Sequence, residues 1–461
     1  MKESVPTIAI IGGGASGTLL AANLLKLAAS PLRVVLVEQT PPFGAGAAYR
    51  SPHSSLLLNI PASNMSAFPN QPLHFVDWLR NNIPDGKVII ADSFVPRQWY
   101  KLYLNDILNE AATSAQPDVQ LVYQSDEATG IVYQDKKVAI QFCSESTIFA
   151  DQVVLAVGNF APRHPPQLSP SLQQSERYRH NPWGSQALAD IPQAATVLIL
   201  GTGLTMVDIV VTLCQQGHAG QLFAVSRHGL VPAAHLLPLL PPQPVTLDEL
   251  QPITTRNLLL TVRSKIKEAE VAGINWRQVI DGLRPYVSQI WQQLSLDDRA
   301  TFLRHVQAYW EVRRHRLAPQ IAQEFEQLLA SDQLHIAAGS YIEFTELADS
   351  IDFTYRDRHS GYLEHINADY ILNCTGPNTH LLQIDQPLIQ SLVAQEFIQP
   401  HNLHLGMDIT AEGAAIDVHG QPVSWLWTIG ALRKGRLWET TAIPEIRQQA
   451  YALAHALLSR F

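Results

Sequence analysis

Apolar and polar positions along the chain alternate between strand-like and helical periods, and the alternation starts twice. Thr7–Ile11 is a short, apolar, β-branched run, the pattern of a buried parallel strand, and Ala15–Leu27 keeps helical spacing throughout. A second strand-like run, Arg33–Val37, leads into a stretch rich in Gly, Pro, Ser and Asn, which is loop chemistry. Leu73–Leu79 and Pro96–Leu108 read as helices. Residues 119–123, 129–133 and 137–142 read as short strands, with Gln134, Asp135 and Lys136 as a turn. Gln152–Val157 is a buried strand stopped at Gly158, and residues 176–184, ERYRHNPWG, read as a connector.

The opening pattern returns at residues 196–213, TVLILGTGLTMVDIVVTL, and Gln221–Val225 is the strand that follows. Leu247–Gln333 is helical in period, with Ser295 and Asp298 as a capping pair before Phe302, Val306, Tyr309 and Trp310 on one face. Strands resume at 334–337, 341–344, 351–356 and 362–366. Tyr370–Cys374 is another, ended by Thr375 and Gly376. A last strand runs into Gly430, followed by a basic loop and a terminal helix from about Thr441.

The junctions carry the candidate chemistry. Gly12, Gly14 and Gly17 stand at G-x-G-x-x-G spacing between the first strand and helix, and Glu38 ends the second strand 21 residues after Gly17. Gly12 permits the reversal, Gly14 lets a pyrophosphate approach the backbone, and Gly17 lets helix and strand pack closely. Ala15 and Ser16 open the helix, whose unpaired N–H groups would meet the diphosphate. Glu38 would accept hydrogen bonds from a ribose, so the whole reads as a dinucleotide site. In the second unit Gly201, Gly203, Leu204 and Thr205 repeat the turn, with Met206 where a third glycine would stand. Its second strand ends in Ser226, Arg227 and His228 rather than an acid; an arginine there suits the 2′-phosphate of NADP, and the plainer alternative is a solvent-facing side chain.

Other positions stay open between two readings. Asn59 and Ser63 lie on the loop that leaves the carboxyl end of the first sheet, where they touch a cofactor ring or bond their own backbone. Arg97 reaches a phosphate or lies in solvent. Arg299, Arg304, Arg313, Arg314 and Arg316 make the 295–318 segment basic, as an anion-binding face or as a complement to the helix dipole. His180 reads as structural. Gly158, Gly376 and Gly430, at strand exits, and Thr441, at a helix start, are further cofactor-binding candidates, and backbone N–H groups at that helix start would suit a ring oxygen or phosphate.

Composition narrows the class. At 461 residues two or three domains are expected. A formal net charge of −9 excludes the basic footprint of a nucleic-acid binder. Cys143, Cys214 and Cys374 are far apart and form no C-x-x-C, so no disulfide framework, metal site or dithiol centre is expected. No run approaches ~18 apolar residues, the first strand begins too early for a signal peptide, and the expected compartment is the cytoplasm.

Two glycine-rich units, the exits LAVGN and LNCTGP, and a late TIGA strand together resemble the two-dinucleotide-binding-domain flavoproteins. More narrowly, FGAGAAYRSPHSSLLLNIPA, GTGLTMVD, SRHG and WEVRRHRLAP resemble a bacterial FAD/NAD(P)-binding family grouped with aspartate N-monooxygenase-like flavin enzymes. FPNQPLHFVDWL and PRQWYKLYL are similar to a region of amino-acid N-hydroxylases. The resemblance implies an α/β fold of two Rossmann-like domains, three-layered with parallel central sheets, and an inserted helical subdomain. FAD would occupy 1–185 with 370–461, NAD(P) would occupy 190–245 with 334–369, and 246–333 would be the insertion, covering the crevice. It further implies an oxidoreductase that uses NADPH in preference to NADH and molecular oxygen to oxidise a small nucleophile, an amine among the candidates, through a peroxyflavin. An NAD(P)H:acceptor flavin reductase and a non-catalytic flavin-binding protein are the alternatives.

Overall fold

The computed structural model describes residues 5–50, 55–84, 86–184 and 186–461. Residues 51–54, inside the FGAGAAYRSPHSS motif, lie outside that range. β1 (Thr7–Ile11), α1 (Ala15–Leu27) and β2 (Leu32–Val37) open the first unit. α1 buries Leu19, Leu20, Ala21, Ala22, Leu24 and Leu25, because a helix enclosed on most sides must be apolar most of the way round. The loop after β2 holds the single turn α2 (Gly46–Tyr49), then α3 (His74–Asn82) and α4 (Arg97–Thr113). β3 (Val119–Gln124) joins the main sheet, and β4 (Ala128–Gln134), β5 (Lys137–Phe142) and β6 (Thr147–Ala150) form a separate antiparallel sheet. Asp135 and Lys136 turn between β4 and β5 at φ 52° and 63°, the left-handed pair that a two-residue hairpin requires. β7 (Gln152–Leu155) returns to the main sheet beside β1.

The second unit begins with the short α5 (Pro170–Gln173) and β8 (Tyr178–Arg179), then repeats the opening as β9 (Val197–Leu200), α6 (Leu204–Gln215) and β10 (Leu222–Ser226). Five helices follow: α7 (Thr255–Val271), α8 (Trp276–Leu283), α9 (Val287–Gln293), α10 (Leu296–His305) and α11 (Gln307–Arg314). α12 (Pro319–Ala330), β11 (Leu334–Glu346), β12 (Ile351–Asp357), β13 (Leu363–Ala368) and β14 (Tyr370–Asn373) complete the unit. The chain then re-enters the first unit with α13 (Pro387–Ala394), β15 (Ala414–Ile416), β16 (Pro422–Thr428), α14 (Lys434–Leu437) and α15 (Ile443–Leu458).

The first sheet has the order β15-β16-β7-β1-β2-β3 and the second β13-β12-β11-β10-β9-β14-β8. Both are parallel at the centre and antiparallel at one edge, so an α/β fold of two Rossmann-like sheets, each flanked by helices, is what the sequence builds.

Several boundaries differ from those expected. β14 pairs with β9, and β8 pairs with β14. Residues 370–373 and 178–179 therefore belong to the second sheet rather than the first, and the connector 176–184 contains a strand. Two residues are too short a run to show a period. The runs at 334–337 and 341–344 are one strand, parallel to β10 in its first half and antiparallel to β12 in its second. Gly339 looks like a break in sequence, yet a Cβ there would come within 2.5 Å of the Tyr355 ring, so glycine serves close packing within the ladder. α12 packs into the second unit's core through Ile321, Ala322 and Phe325, which ends the helical insertion before it. The basic 295–318 segment is two helices, broken at Val306 with φ −117°, rather than one continuous helix.

Candidate cofactor site

The two glycine turns are built alike. Gly12 has φ +111°, and a Cβ on it would lie 2.3 Å from the Ala156 carbonyl oxygen; Gly201 has φ +103°, and a Cβ on it would lie 2.4 Å from that of Cys374. Each turn thus crosses the carboxyl end of the neighbouring strand, β7 in one sheet and β14 in the other. The paired motifs LAVGN and LNCTGP are these two strand ends. Gly17 lies against the Gly12 carbonyl, 1.9 Å from any added Cβ, whereas Met206 is fully buried in the second unit's core at the corresponding place. The third glycine is thus a requirement of the first turn only.

In the first turn, Gly14 faces Gly46, and a Cβ on either would come within 3.2 to 3.3 Å of the other's Cα. Ala15 and Ser16 open α1, and the Ser16 Oγ lies 3.0 Å from a Cβ built on Gly430, which joins the C-terminal strand exit to the first turn. Glu38 is buried, and its carboxylate accepts from the N–H groups of Gly13 (3.0 Å) and Thr40 (3.1 Å), with the Arg50 guanidinium at 3.5 Å. A cavity of about 110 Å³ opens beside Glu38, lined also by Gly12, Gln39, Asp126, Glu127 and Gln386.

In the second turn a neutral clasp replaces the carboxylate. The Thr202 and Ser226 hydroxyls lie 2.8 Å apart, and Thr202 also donates to the Leu230 carbonyl. Gly203 caps α6, which starts at Leu204 and Thr205, and a Cβ on Gly203 would meet open space. Arg227 is exposed at the end of β10, and the Arg358 guanidinium reaches its carbonyl at 3.4 Å. Burial first, then Arg358 and Arg227, hold the His228 imidazole below its ordinary value. Arg358 comes from the β12–β13 turn, and no local pattern around it signals this partnership.

The remaining expected residues divide. A Cβ on Gly158 or Gly376 would meet open space, and both have positive φ, leaving backbone at the two strand exits bare. The two exits touch through an isolated bridge between Phe160 and Asn378. The Gly430 N–H donates to Gln449 Oε1 (3.0 Å), and Thr440 donates to the Gly430 carbonyl (2.9 Å). Thr441 is exposed beside them, ahead of α15 rather than at its start, which falls at Ile443. Asn59 gives its carbonyl to His235 Nε2 (3.0 Å), and Ser63 gives its N–H to Ala91; both side chains are half-buried on the crevice loop.

Arg97 answers differently from either expectation. It is buried, its Nη1 and Nη2 grip both Asp208 oxygens at 2.7 and 3.0 Å, and its Nε donates to the Leu57 carbonyl. It therefore joins α4 of the first unit to α6 of the second and is not available to a phosphate. Burial raises the Asp208 carboxyl and Arg97 pulls it back. His180 is structural: its ring stacks on His164 at 3.9 Å and meets the Pro162 carbonyl.

The helical insertion docks on the loop between Gly430 and α15. Arg314 donates to Glu439 Oε2 at 2.7 and 3.0 Å, Trp310 Nε1 to Glu439 Oε1 at 3.2 Å, and Trp291 Nε1 to the Gly435 carbonyl at 2.8 Å. Arg316 is held by Asp281 and Arg284 by Glu445. Three of the buried or half-buried insertion arginines are thus consumed by structure. All three cysteines are free. No group able to hold a metal ion is found among the described residues, nor any helix there long and apolar enough to cross a membrane.

A family model described as FAD-NAD(P)-binding matches residues 9–160. No curated protein sequence matches the chain. Among solved structures, an ornithine N-hydroxylase of Kutzneria sp. 744 superposes with a TM-score of 0.66 at 11% identity, covering 99% of each chain. L-lysine 6-monooxygenase from Pseudomonas syringae gives 0.65 at 16% identity, again over 99% of each chain. Bacillithiol disulfide reductase from Bacillus cereus gives 0.56 at 13% identity over 99% of each. The chain shares the fold of these proteins along its whole length.

Proposed function

We propose that the protein is an FAD-dependent, NADPH-using monooxygenase that oxidises a small nucleophile, an amine in the first instance. The observation that carries this reading is the pair of matched glycine turns, each crossing a strand exit with bare backbone, in a chain with no paired cysteines. The ornithine and lysine enzymes are the neighbours of higher TM-score, and the disulfide reductase has the lower.

The first turn fits FAD: α1 opens at Ala15 with no side chain capping its N–H groups, which suits a diphosphate, and Glu38 stands beside a cavity with a carboxylate for a ribose. The second fits NADPH, because Arg227 and Arg358 present two cations where the neutral Thr202–Ser226 clasp leaves no acid to repel a phosphate. When bound, a flavin there would supply electron transfer from the nicotinamide to oxygen. The protein's own part is to hold both molecules and to keep water out. Gln449 and Thr440 hold Gly430 in place beside Ser16, and Glu439 ties the insertion to that same loop.

The test is to mix the purified protein anaerobically with NADPH or NADH and then admit oxygen in a stopped-flow instrument. Bleaching faster with NADPH, then reoxidation in two resolved phases with little free peroxide, is expected. Single-phase reoxidation with stoichiometric peroxide would move the assignment to an acceptor reductase.

A further inference from the structure

The insertion does not close on itself. Its apolar side chains form two small clusters, one around Trp291 and Trp438 and one around Ile280 and Leu283. Between them lies a cavity of about 820 Å³, walled by Leu258, Val262, Ile280, Trp291, Phe302 and Trp310. Protein interiors ordinarily pack to crystal density, and a concave apolar space of this size falls in the range of small-molecule sites. It reaches Leu230 of the second unit at one side and Trp438, next to Glu439, at another.

The charges on this cavity are one-sided. Arg263 and Lys267 stand one turn apart on α7, and Arg313 lies on the lining too; Glu270 is the single carboxylate there. Arg263 and Lys267 have no ion-pair partner among the described residues, although Lys265 on the same helix is paired with Glu249 at 3.0 Å. Arg313 donates only to the Tyr309 carbonyl among them. Long cationic side chains whose stems run along an apolar wall keep their heads at its rim. An apolar interior with cations at its mouth is complementary to an apolar chain that ends in an anionic group.

We infer that this cavity binds an amphipathic small-molecule anion, an apolar body with a carboxylate-like head, held at the head by Arg263 and Lys267. The inference goes beyond the proposed oxidoreductase function and does not depend on it. Free ornithine or lysine, with a charge at each end, does not match such a wall.

The test is a titration of the flavin-loaded protein, without NADPH or oxygen, read by tryptophan fluorescence, since Trp276, Trp291, Trp310 and Trp438 all line the cavity. Sodium decanoate should quench saturably and lysine should not. The double variant Arg263→Ala/Lys267→Ala should bind decanoate about tenfold or more weaker while decan-1-ol changes little. The exchanged pair Arg263→Lys/Lys267→Arg should keep decanoate binding. Val262→Asp, which places an acid in the wall, should weaken both probes. Absence of saturable quenching by decanoate, or equal losses of decanoate and decan-1-ol in the double alanine variant, would overturn the inference. A protein that binds decanoate as described but never oxidises NADPH keeps the cavity assignment and overturns the oxidoreductase reading instead.

Discussion

At the scale of single residues, side chains at the ends of β2 and β10 distinguish the two glycine turns. Glu38 clasps the first through backbone N–H groups, and Ser226 clasps the second through a hydroxyl, which frees Arg227 to act as a cation. Arg227→Ala should therefore weaken NADPH by about tenfold or more and leave NADH nearly unchanged, measured as half-saturation of flavin bleaching. Equal losses for both would remove the phosphate role. His235 makes a second residue-scale prediction. Burial first, then Arg316, push its imidazole down to about 4, against about 6.5 in an unfolded chain. Between those values the unfolded chain binds a proton that the folded chain excludes. Stability is therefore unaffected above pH ~6.5 and falls toward pH ~4, by up to about 3 kcal/mol. His235→Gln keeps a donor for the Asn59 carbonyl and removes the titration, so its urea midpoint should drop less on acidification from pH 6.5 to 4.5. A parallel drop in both proteins would exonerate His235.

At the scale of elements, α4 and α6 are joined by a buried ion pair that links two units otherwise separate in their folding logic. Arg97 and Asp208 are both under a tenth exposed, and a bidentate pair in such a place is strong only while both partners are present. Arg97→Ala should cost about 3–5 kcal/mol in urea unfolding, because it leaves Asp208 buried and uncompensated. The double variant Arg97→Ala/Asp208→Ala should recover part of that loss. Additive losses would mean that the pair is not coupled. Neither residue's role was legible in the local pattern, since Arg97 opens a helix in the manner of a phosphate ligand and Asp208 sits inside an apolar helix with no visible partner. Their sequence separation of 111 explains this: no period spans two domains.

At the scale of the whole molecule, the insertion and the C-terminal loop depend on each other. Glu439 gathers Arg314 and Trp310 from α11, and the same loop carries Thr440 back to Gly430 and the first glycine turn. Glu439→Ala should raise hydrogen exchange across residues 255–314 by about two orders of magnitude or more, corresponding to loss of one partner of a buried pair. Protection in β1 and β9 should be retained. Unchanged exchange in the insertion would show that it is anchored elsewhere. If the insertion excludes water from the crevice, the same variant should release more peroxide per NADPH consumed.

The sequence by itself determined both glycine turns, because the G-x-G that the two share between a strand and a helix is a local steric demand, and it determined the two strand exits that the turns cross. It also determined most helices and strands, whose periods report which face is buried. Tertiary structure alone decided that β14 and the two-residue β8 complete the second sheet, that 334–346 is one strand changing partners, and that the basic stretch is two helices. It alone decided that Arg97 grips Asp208, that Arg358 joins Arg227, and that the insertion encloses a cavity. Each of these depends on residues far apart in the chain meeting in space, and a hydrophobic period carries information only about the face on which a residue lies, not about what it will meet there.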